Sequence, residues 1–566
     1  MTQAKGQAME LILEDADIIT MAPEPDPSAA AGPAATGSPA ADSMLIRDGY
    51  IAAVGPAAQV RALAARNAAV VHLDGATVIP GLIDAHCHVS DVGYLAAAAD
   101  CSQPAAPDIP AIVARLRDQA GRTPDGSWVT GAGYVEYKLR EDRHPTRADL
   151  DAAVPDRPAV LYHTSLHACV LNSAALREAG LADGQPDPPG GAFGRDDQGR
   201  LDGVVFEGPM FALFERNLHH DLGELGPDQR ARVVRTAGQR LAALGVTAVC
   251  EADLRRDSYT AFAEADEGGA LHQRIYGLVV HDEVDWLLAA GLRGRRSDRL
   301  AAEAVKIWAD GGMSSRTAAI SGQYPVPPYG SGILYFDRPE LTELVRGFDA
   351  QGFQVCIHAQ GDRAIETVLD AYAAVLPATP DPAGSAGVER NPRRHRIEHG
   401  GALYPDLLGR AAELNILIAT QPGFFSTLGD GFAAAFPGTR DQLYAIGSWL
   451  RAGLTVAGSS DAPVISPDPL LGLRDAVLRR TAGGQVLGPG EELTAAGALA
   501  LYTRQAAYAM HRETEIGSLA VGHRADFVVL DGNPLTIDPE RITDLSVLAT
   551  ALDGVPVHQD GVTIPG

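Results

Sequence analysis

The chain is poor in cysteine and contains no long apolar run. Its 566 residues include only five cysteines, an odd number at wide spacing without any C-x-x-C pair. That usage argues against a disulfide framework and is typical of a reducing compartment. No stretch of about eighteen apolar residues occurs, so we predict no membrane-spanning segment. The N-terminal segment lacks an apolar core followed by a cleavage site, and we expect a cytoplasmic protein.

Positive charge is scarce relative to negative charge. There are 46 Lys and Arg against 72 Asp and Glu, which gives a net charge of −26. Such a field repels phosphate backbones and anionic lipids, so we expect neither nucleic acid nor a membrane as partner. With 46% hydrophobic and 21% charged residues, the composition is that of a globular protein and excludes disordered and fibrous classes.

The middle of the chain alternates short apolar runs with helical periods. In residues 363–375, for example, Ala364, Ile365, Val368 and Leu369 recur on one helix face. Eight such units predict an α/β fold, a (β/α)₈ barrel of the TIM type. The eight strand-like runs are residues 82–88, 246–253, 274–280, 304–311, 354–362, 395–400, 415–421 and 455–462.

Strand patterns return at both ends of the chain. They cover residues 9–21, 44–54, 525–530 and 546–561. We therefore predict a small composite β-sandwich domain made of residues 1–79 and 517–566, beside a barrel of residues 80–516. Residues 24–43 are rich in Pro, Ala, Gly and Ser and are predicted to form a loop.

The segment between the first and second predicted barrel strands is too long for one βα unit. Residues 89–225 must therefore be an insertion with elements of its own. Because the insertion follows the C-terminal end of a strand, we predict a subdomain that caps the active face of the barrel.

An H-x-H motif ends the first predicted strand. His86 and His88 are two residues apart, so both imidazoles lie on one side of the strand, and imidazole suits zinc and similar metals. Polar side chains in or just after apolar strands are costly unless they are paired or metal-bound. Six such residues at strand ends of one barrel predict a metal centre. The other four are Lys306, His358, His399 and Asp461.

With these motifs the chain resembles the metal-dependent amidohydrolase superfamily, and within it the branch of YtcJ-like and N-substituted formamide deformylase-like proteins. The resemblance covers nearly the whole chain. The matching segments are PGLIDAHCH (80–88), RPAVLYHTSLHACVLNSAAL (157–176), VKIWADGGMSSRTA (305–318), CIHAQGDRAIETVLDA (356–371), HRIEHG (395–400), GSSDAPV (458–464) and GSLAVGHRADFVVLDGNP (517–534).

The resemblance implies a role for each of the six residues. His86 and His88 would bind a first divalent metal, with Asp461 as its further ligand. His358 and His399 would bind a second. Lys306 matches the bridging lysine that CO₂ carboxylates in binuclear members, where an anionic bridge offsets the repulsion of two cations. The sequence leaves one or two ions open, with zinc as the expected metal, and Glu251 is a minor candidate for an alternative carboxylate.

The ligand set implies hydrolysis of an amide. A bound metal lowers the pKa of a water and polarises a carbonyl, and Asp461 is placed to act as general base and then general acid. Mononuclear deaminases of the superfamily carry a catalytic glutamate three residues after the histidine of the fifth strand. That position is Gly361 here, which disfavours nucleobase-type deamination.

Three further residues are predicted to contact a small-molecule substrate. His167 lies in HACVLNS, which matches a family pattern, although a structural capping role is an equal alternative. Tyr134 and Arg316 are predicted to line the pocket. His395 is expected to be structural, and Cys87 to pack against the core.

Several functions remain open at this stage. The leading hypothesis is hydrolysis of a C–N bond in an N-substituted amide, formamides included. The alternative is a lactone, ester or cyclic-amide hydrolase on the same site. A non-catalytic scaffold is disfavoured because all six ligands are present, and a binding or sensing protein is the third class. Family analogy makes a homodimer plausible.

Overall fold

Parallel strands dominate the part of the chain that this computed structural model describes, namely residues 10–22, 41–213, 225–325, 330–377 and 390–565. Most of the predicted loop 24–43 lies outside these ranges. No helix within them combines the length and apolarity needed to cross a bilayer. All five cysteines are buried as free thiols.

Eight parallel strands form the central sheet, each paired with the next in chain order. All eight predicted strands are present, which confirms the α/β barrel. They are Leu82–Cys87, Val246–Leu254, Arg274–Val280, Leu300–Trp308, Gln354–Ala359, Arg396–His399, Leu417–Thr420 and Val456–Gly458. A short strand, Gly294–Arg295, pairs antiparallel with the fourth.

Hydrogen bonds beyond the end of the eighth strand bring the barrel almost to closure. The Asp461 amide donates to the His86 carbonyl and the His88 amide donates to the Ala462 carbonyl, both over 2.8 Å. The Ser460 amide donates to Asp84 Oδ1 over 3.0 Å. Because these bonds run between the first strand and the loop after the eighth, they bring Asp461 next to the H-x-H motif.

Helices cover the barrel and link its strands. In Asp362–Val375 the buried positions include Ala364, Ile365, Val368 and Leu369, so the predicted apolar face is confirmed. The other α-helices whose full ranges fall within the described residues are Ala57–Leu63, Val89–Leu95, Ile109–Ala120, Arg147–Ala153, Ser173–Glu178, Pro227–Ala243, Arg256–Glu267, Val284–Ala289, Arg338–Ala350, Pro405–Leu414, Phe424–Ala435, Ile446–Arg451, Pro469–Leu478, Ala495–Leu501 and Arg504–Ala509. The same part of the chain contains 3₁₀ turns at Glu136–Lys138, His281–Glu283, Arg440–Gln442 and Pro539–Asp544.

The insertion after the first barrel strand has a sheet of its own. Six strands build it, and its apolar core includes Leu116, Leu161 and Val170. In spatial order the strands are Gly191–Arg195, Leu201–Glu207, Ala168–Leu171, Ala159–His163, Val129–Tyr134 and Ala99–Asp100. The predicted insertion is therefore present as a separate sheet within the fold.

Strands from both ends of the chain form two further sheets around a shared core. One sheet contains Tyr50–Gly55, Ser43–Arg47, Glu10–Glu14 and Ala69–His72, in that order. The other contains Asp17–Ile18, Thr77–Pro80, Phe527–Leu530, Val547–Leu552 and Val555–Gln559. Leu13 of the first sheet and Phe527 of the second belong to the same buried cluster. The predicted β-sandwich from both termini is confirmed as an architecture, while its exact boundaries stay predictions.

A buried arginine joins the barrel to this sandwich. Arg274 in the third barrel strand donates to both carboxylate oxygens of Asp526 over 2.7 Å and to Asp553 over 2.7 Å. Arg274 and Asp526 are both buried. Removing one member of a buried ion pair leaves the other uncompensated, which is far more costly than losing an exposed pair.

We therefore predict that Arg274→Ala destabilises the folded protein by about 3–5 kcal/mol, measured by urea unfolding. The control is Arg346→Ala, because Arg346 pairs with Glu343 on an exposed helix surface. Equal stability of the two variants would contradict a structural role for the Arg274 pair.

Candidate active site

A cavity of about 300 Å³ lies at the carboxyl ends of the barrel strands, between the barrel and the insertion. The structure brings all six residues that were predicted to bind metal to the wall of this one cavity: His86, His88, Lys306, His358, His399 and Asp461. The insertion supplies part of the opposite lining through Ser165, Leu166 and His167.

The first three predicted ligands form a tight cluster. Asp461 Oδ1 lies 3.4 Å from His86 Nε2 and 3.4 Å from His88 Nε2. One ligand atom from each of the three residues falls within 4.8 Å of the others, a spacing that a single metal ion can bridge. Burial alone would raise the pKa of Asp461, but hydrogen bonds from His86 and His88 hold it well below its usual range. The aspartate is therefore ionised, the state in which a carboxylate can bind a metal.

A buried ion pair orients His86. His86 Nδ1 lies 2.5 Å from Glu398 Oε2, and Arg396 Nε donates to Glu398 Oε1 over 2.6 Å. Burial would raise the pKa of Glu398, but the Arg396 guanidinium and His86 lower it to about 2. An ionised Glu398 accepts a hydrogen bond from Nδ1, which leaves Nε2 as the ring nitrogen of His86 that faces Asp461. Such carboxylate–histidine pairs are characteristic of metal sites.

The fifth and sixth strands supply two more imidazoles. Gln421 Oε1 lies 2.9 Å from His399 Nδ1, and the Gln421 amide donates to Ser459 Oγ over 3.0 Å. The fixed amide makes Nδ1 of His399 the protonated nitrogen, so Nε2 is available as a ligand. Burial lowers the pKa of His399 to about 3, which keeps the ring neutral.

The unpaired ring nitrogens of His358 are the clearest indication of a binding site for a further group in this cavity. Its ring is buried, and neither ring nitrogen makes a hydrogen bond within the described residues. Nδ1 lies 3.1 Å from Asp310 Oδ1, a distance suited to pairing, but outside hydrogen-bond geometry. Orphaned buried polar atoms are costly, and a metal ligand bond would satisfy one. The donor set therefore fits a divalent metal.

Lys306 lies on the same wall. It is fully buried, and its Nζ is 3.4 Å from His86 Nε2 and 5.0 Å from the centre of the Trp308 ring. Within the described residues no carboxylate forms an ion pair with it. Burial lowers its pKa below the usual range for lysine.

Two ligands occupy backbone conformations that side chains other than glycine rarely adopt. His399 has φ +73° and Asp461 has φ +60°. Strain of this kind costs roughly 1–3 kcal/mol per residue and clusters at functional sites. Gly361 shows a related constraint, since a Cβ there would lie 1.9 Å from the Ala319 carbonyl oxygen. The glutamate expected of a mononuclear deaminase therefore has no room at this position.

The three residues that are predicted to contact the substrate lie at different positions relative to the cavity. His167 lines the cavity, whereas Tyr134 and Arg316 do not. Tyr134 is fully buried in the core of the insertion, where its hydroxyl lies 2.8 Å from His144 Nδ1. Arg316 lies 3.9 Å from Glu136 Oε1, outside the cavity lining. The positions of these two residues do not support direct contact with a molecule in this cavity.

Other residues singled out in the sequence lie off the cavity. Glu251 is buried and accepts hydrogen bonds from the Val89 amide and the Ser90 hydroxyl, over 2.8 and 3.2 Å. His395 accepts from the Val355 amide through Nδ1, which fits its predicted structural role. Cys87 is fully buried in the barrel core, as predicted.

Sequence reasoning missed the residues behind the ligands. Glu398 orients His86, and Gln421 orients His399. Glu207 contacts His167, and the Tyr335 hydroxyl donates a hydrogen bond to Glu207. A charged residue inside an apolar strand was the available signal for Glu398, because it directly precedes His399 in HRIEHG. The other three carry no comparable local signal.

Comparison with known proteins agrees with this site. The family model described as "Amidohydrolase family" matches residues 69–558. N-substituted formamide deformylase of Arthrobacter pascens is 31% identical over 529 residues, which cover 91% of this chain and 94% of that protein. YtcJ of Bacillus subtilis (strain 168) is 29% identical over 539 residues, covering 92% and 96%.

A solved structure shares the fold. An uncharacterized metal-dependent hydrolase from Pyrococcus horikoshii OT3 superposes with a TM-score of 0.72 at 23% identity, covering 94% of this chain and 99% of that one.

The contact between Glu398 and His86 generates a prediction about metal affinity. Glu398→Gln should weaken zinc binding by about 10–100-fold, because a neutral amide accepts the Nδ1 hydrogen bond of His86 more weakly than the carboxylate does. Competition with a chromophoric chelator measures the effect, with Glu343→Gln on the exposed helix surface as the matched control. Unchanged affinity in a variant that melts like the parent protein would show that Glu398 has no part in metal binding.

Proposed function

The chain belongs to the amidohydrolase family and is a hydrolase of carbon–nitrogen bonds other than peptide bonds; within that class we propose that it cleaves small N-substituted amides, with N-formyl amines as its first candidates. The products would be an amine and a carboxylic acid. Similarity to an N-substituted formamide deformylase over 91% of the chain supports the choice of substrate class.

The observation that carries the proposal is the convergence of buried imidazoles and one carboxylate on one cavity. His86, His88 and Asp461 present their ligand atoms to one another, while both nitrogens of His358 lack a hydrogen bond within the described residues. A purely structural cluster would satisfy the nitrogens of His358 with protein partners.

Two groups of residues would hold metal. His86, His88 and Asp461 suit a first ion, and His358 with His399 suits a second. Imidazole and carboxylate ligands favour zinc. When bound, such an ion supplies Lewis acidity toward a carbonyl oxygen and lowers the pKa of a water.

The chain's own residues account for the proton transfers. Asp461 is ionised, since its pKa is held low, so its carboxylate can accept the proton of the attacking water. The water oxygen joins the carbonyl carbon, the C–N bond breaks, and Asp461 returns the proton to the leaving nitrogen. The proton therefore passes from the water to the leaving nitrogen through the Asp461 carboxylate, which acts first as general base and then as general acid.

The cavity walls favour a small apolar amine substituent. Aromatic and aliphatic side chains form much of the lining, and the volume of about 300 Å³ limits the size of the molecule. The apolar lining residues are Leu166, Phe211, Trp308, Phe336 and Val464.

A substrate panel tests the proposal directly. N-alkyl and N-benzyl formamides, the matching acetamides, and a set of lactones and esters are incubated with zinc-supplied enzyme, and the released amine or acid is quantified. We expect turnover of the formamides. Turnover confined to lactones or esters would replace the proposal with the alternative hydrolase, and no turnover of any of them would contradict it.

The proton-transfer role predicts the behaviour of Asp461→Asn. Asparagine keeps the shape of the side chain but cannot accept the proton, so we expect kcat to fall by at least about 10²-fold. Zinc content is measured in the same preparation, because Asp461 also contacts both histidines of the cluster. Asp282→Asn, on the exposed surface, is the control. A near-normal kcat at neutral pH would assign the base to another residue.

We further propose that Lys306 is carboxylated and bridges two ions. Its buried Nζ has no carboxylate partner within the described residues and lies beside His86. The neutral amine adds to CO₂ and releases one proton, which gives an anionic carbamate with two oxygen ligands. Modification and metal binding should therefore depend on each other.

Lys306→Ala should bind markedly less zinc and lose most of its activity. Metal-free parent protein should also regain activity faster with zinc plus bicarbonate than with zinc alone. Carbon-13 NMR with labelled bicarbonate should show a carbamate signal in the parent and none in Lys306→Ala. Lys138→Ala, which removes a lysine that does not line the cavity, is the control. Full zinc content and activity in Lys306→Ala would refute the bridge.

A further inference from the structure

A buried carboxylate outside the ligand cluster joins two residues of the cavity wall. Glu207 ends the insertion strand Leu201–Glu207 and is fully buried. Its Oε2 lies 2.9 Å from His167 Nδ1 and accepts the Tyr335 hydroxyl proton over 2.5 Å. His167 and Tyr335 both line the cavity, whereas Glu207 does not. Glu207 can therefore influence a bound molecule only through these two side chains.

We propose that Glu207 is a positioning residue for the hydrolysis: it keeps a proton on Nδ1 of His167 and aims Nε2 of that ring at the amide group of the substrate. The inference rests on the proposed function, because it assigns a task to His167 in the same cavity. It adds a residue from the insertion to a site whose ligands all come from the barrel.

The ring of His167 is close enough to the ligand cluster to meet the reacting amide. Its centroid lies 5.6 Å from that of His358. Since Nδ1 is hydrogen-bonded to Glu207, Nε2 is the ring nitrogen that can bind a molecule in the cavity. A carboxylate that accepts from Nδ1 selects one tautomer, and this is how such pairs act on catalytic and metal-binding histidines.

Glu207 itself carries two marks of a functional constraint. Its backbone has φ +58°, a conformation unfavourable for a residue with a side chain. Its Oε1 is buried and makes no hydrogen bond within the described residues. Both side-chain hydrogen bonds are accepted by Oε2, while Oε1 accepts none within the described residues. The carboxylate therefore lies where one oxygen contacts His167 and Tyr335 at the same time, although this leaves its other oxygen without a partner.

The loop after the fourth barrel strand is shaped to accept this pair. A Cβ at Gly311 would lie 2.6 Å from Glu207 Oε1, and one at Gly312 would lie 3.1 Å from His167 Cδ2. Glycine at these two positions therefore lets the insertion pack directly against the loop that follows Lys306. The orientation of His167 is fixed from both sides, by Glu207 and by this loop.

A double-mutant cycle separates positioning from a merely structural role. Glu207→Gln should lower kcat/KM for an N-substituted formamide by about 10–100-fold in the parent protein. In the His167→Gln background the same change should alter kcat/KM by no more than about 2-fold, because the contact between Glu207 and the imidazole is then already lost. Zinc content and melting temperature should stay at parent values. The same factor in both backgrounds would overturn the proposal.

A spectroscopic readout tests the contact without turnover. In protein labelled with ¹⁵N-histidine, the parent should show a slowly exchanging imidazole N–H signal that is absent from His167→Gln and lost in Glu207→Leu, which has no acceptor at this position. Tyr335→Phe, which removes only the second donor, should retain it. If the parent hydrolyses no formamide but shows this pattern, the proposed substrate is wrong and the positioning contact stands. If the signal persists in Glu207→Leu, the positioning role is wrong whatever the substrate.

Discussion

The closure of the barrel is the constraint on which the site depends. Two main-chain hydrogen bonds, from Asp461 to His86 and from His88 to Ala462, tie the first strand to the loop after the eighth. These residues are far apart in sequence, and the only feature that brings them together is a sheet of eight strands curved almost into a cylinder. The same bonds hold Asp461 in a left-handed backbone conformation. The free energy of the whole barrel therefore stabilises a local geometry that would be unfavourable alone.

Hydrogen bonds to Nδ1 determine which ring nitrogen carries the proton in two histidines of the site before any ligand binds. Glu398 accepts a hydrogen bond from Nδ1 of His86, and the side-chain oxygen of Gln421 accepts one from Nδ1 of His399. The buried Arg396 keeps Glu398 ionised, so the proton of His86 cannot shift to the other nitrogen without breaking a charge-assisted bond. His358 is the exception, since no group within the described residues fixes its ring by a hydrogen bond. A metal ion fits this arrangement. The side chains of His86 and His399 are already oriented by hydrogen bonds, so they lose little conformational entropy when their other ring nitrogens bind a metal.

The sequence predicts the repetitive part of the structure and the ligands, and it does so for physical reasons. Eight apolar runs of similar length can be satisfied by one parallel barrel, and polar residues at their ends must then meet at one edge. What it does not predict is pairing between distant residues. Glu398 lies 312 positions from His86, and neither neighbourhood contains a signal for the other. Tyr134 illustrates the converse: it is predicted to line the pocket, but its ring is buried in the core of the insertion, because the packing of an inserted sheet is not encoded by the barrel's repeat.

The ligands and the remaining wall of the cavity therefore have different origins. The predicted metal ligands all belong to barrel strands or to the loops directly after them, where their positions follow from the sheet. His167 and Glu207 belong to the insertion: His167 directly precedes the strand Ala168–Leu171, and Glu207 ends the strand Leu201–Glu207. A change in the insertion can alter which molecule is held, and how its amide is oriented, without moving His86, His88 or Asp461. Conversely, the glycines after the fourth strand show that the two parts are packed in contact, so a side chain added at Gly311 would displace Glu207 even though both lie outside the ligand set. Under the proposed function, the barrel residues would act on the C–N bond, and the residues where the insertion meets the barrel loops would contact the rest of the substrate.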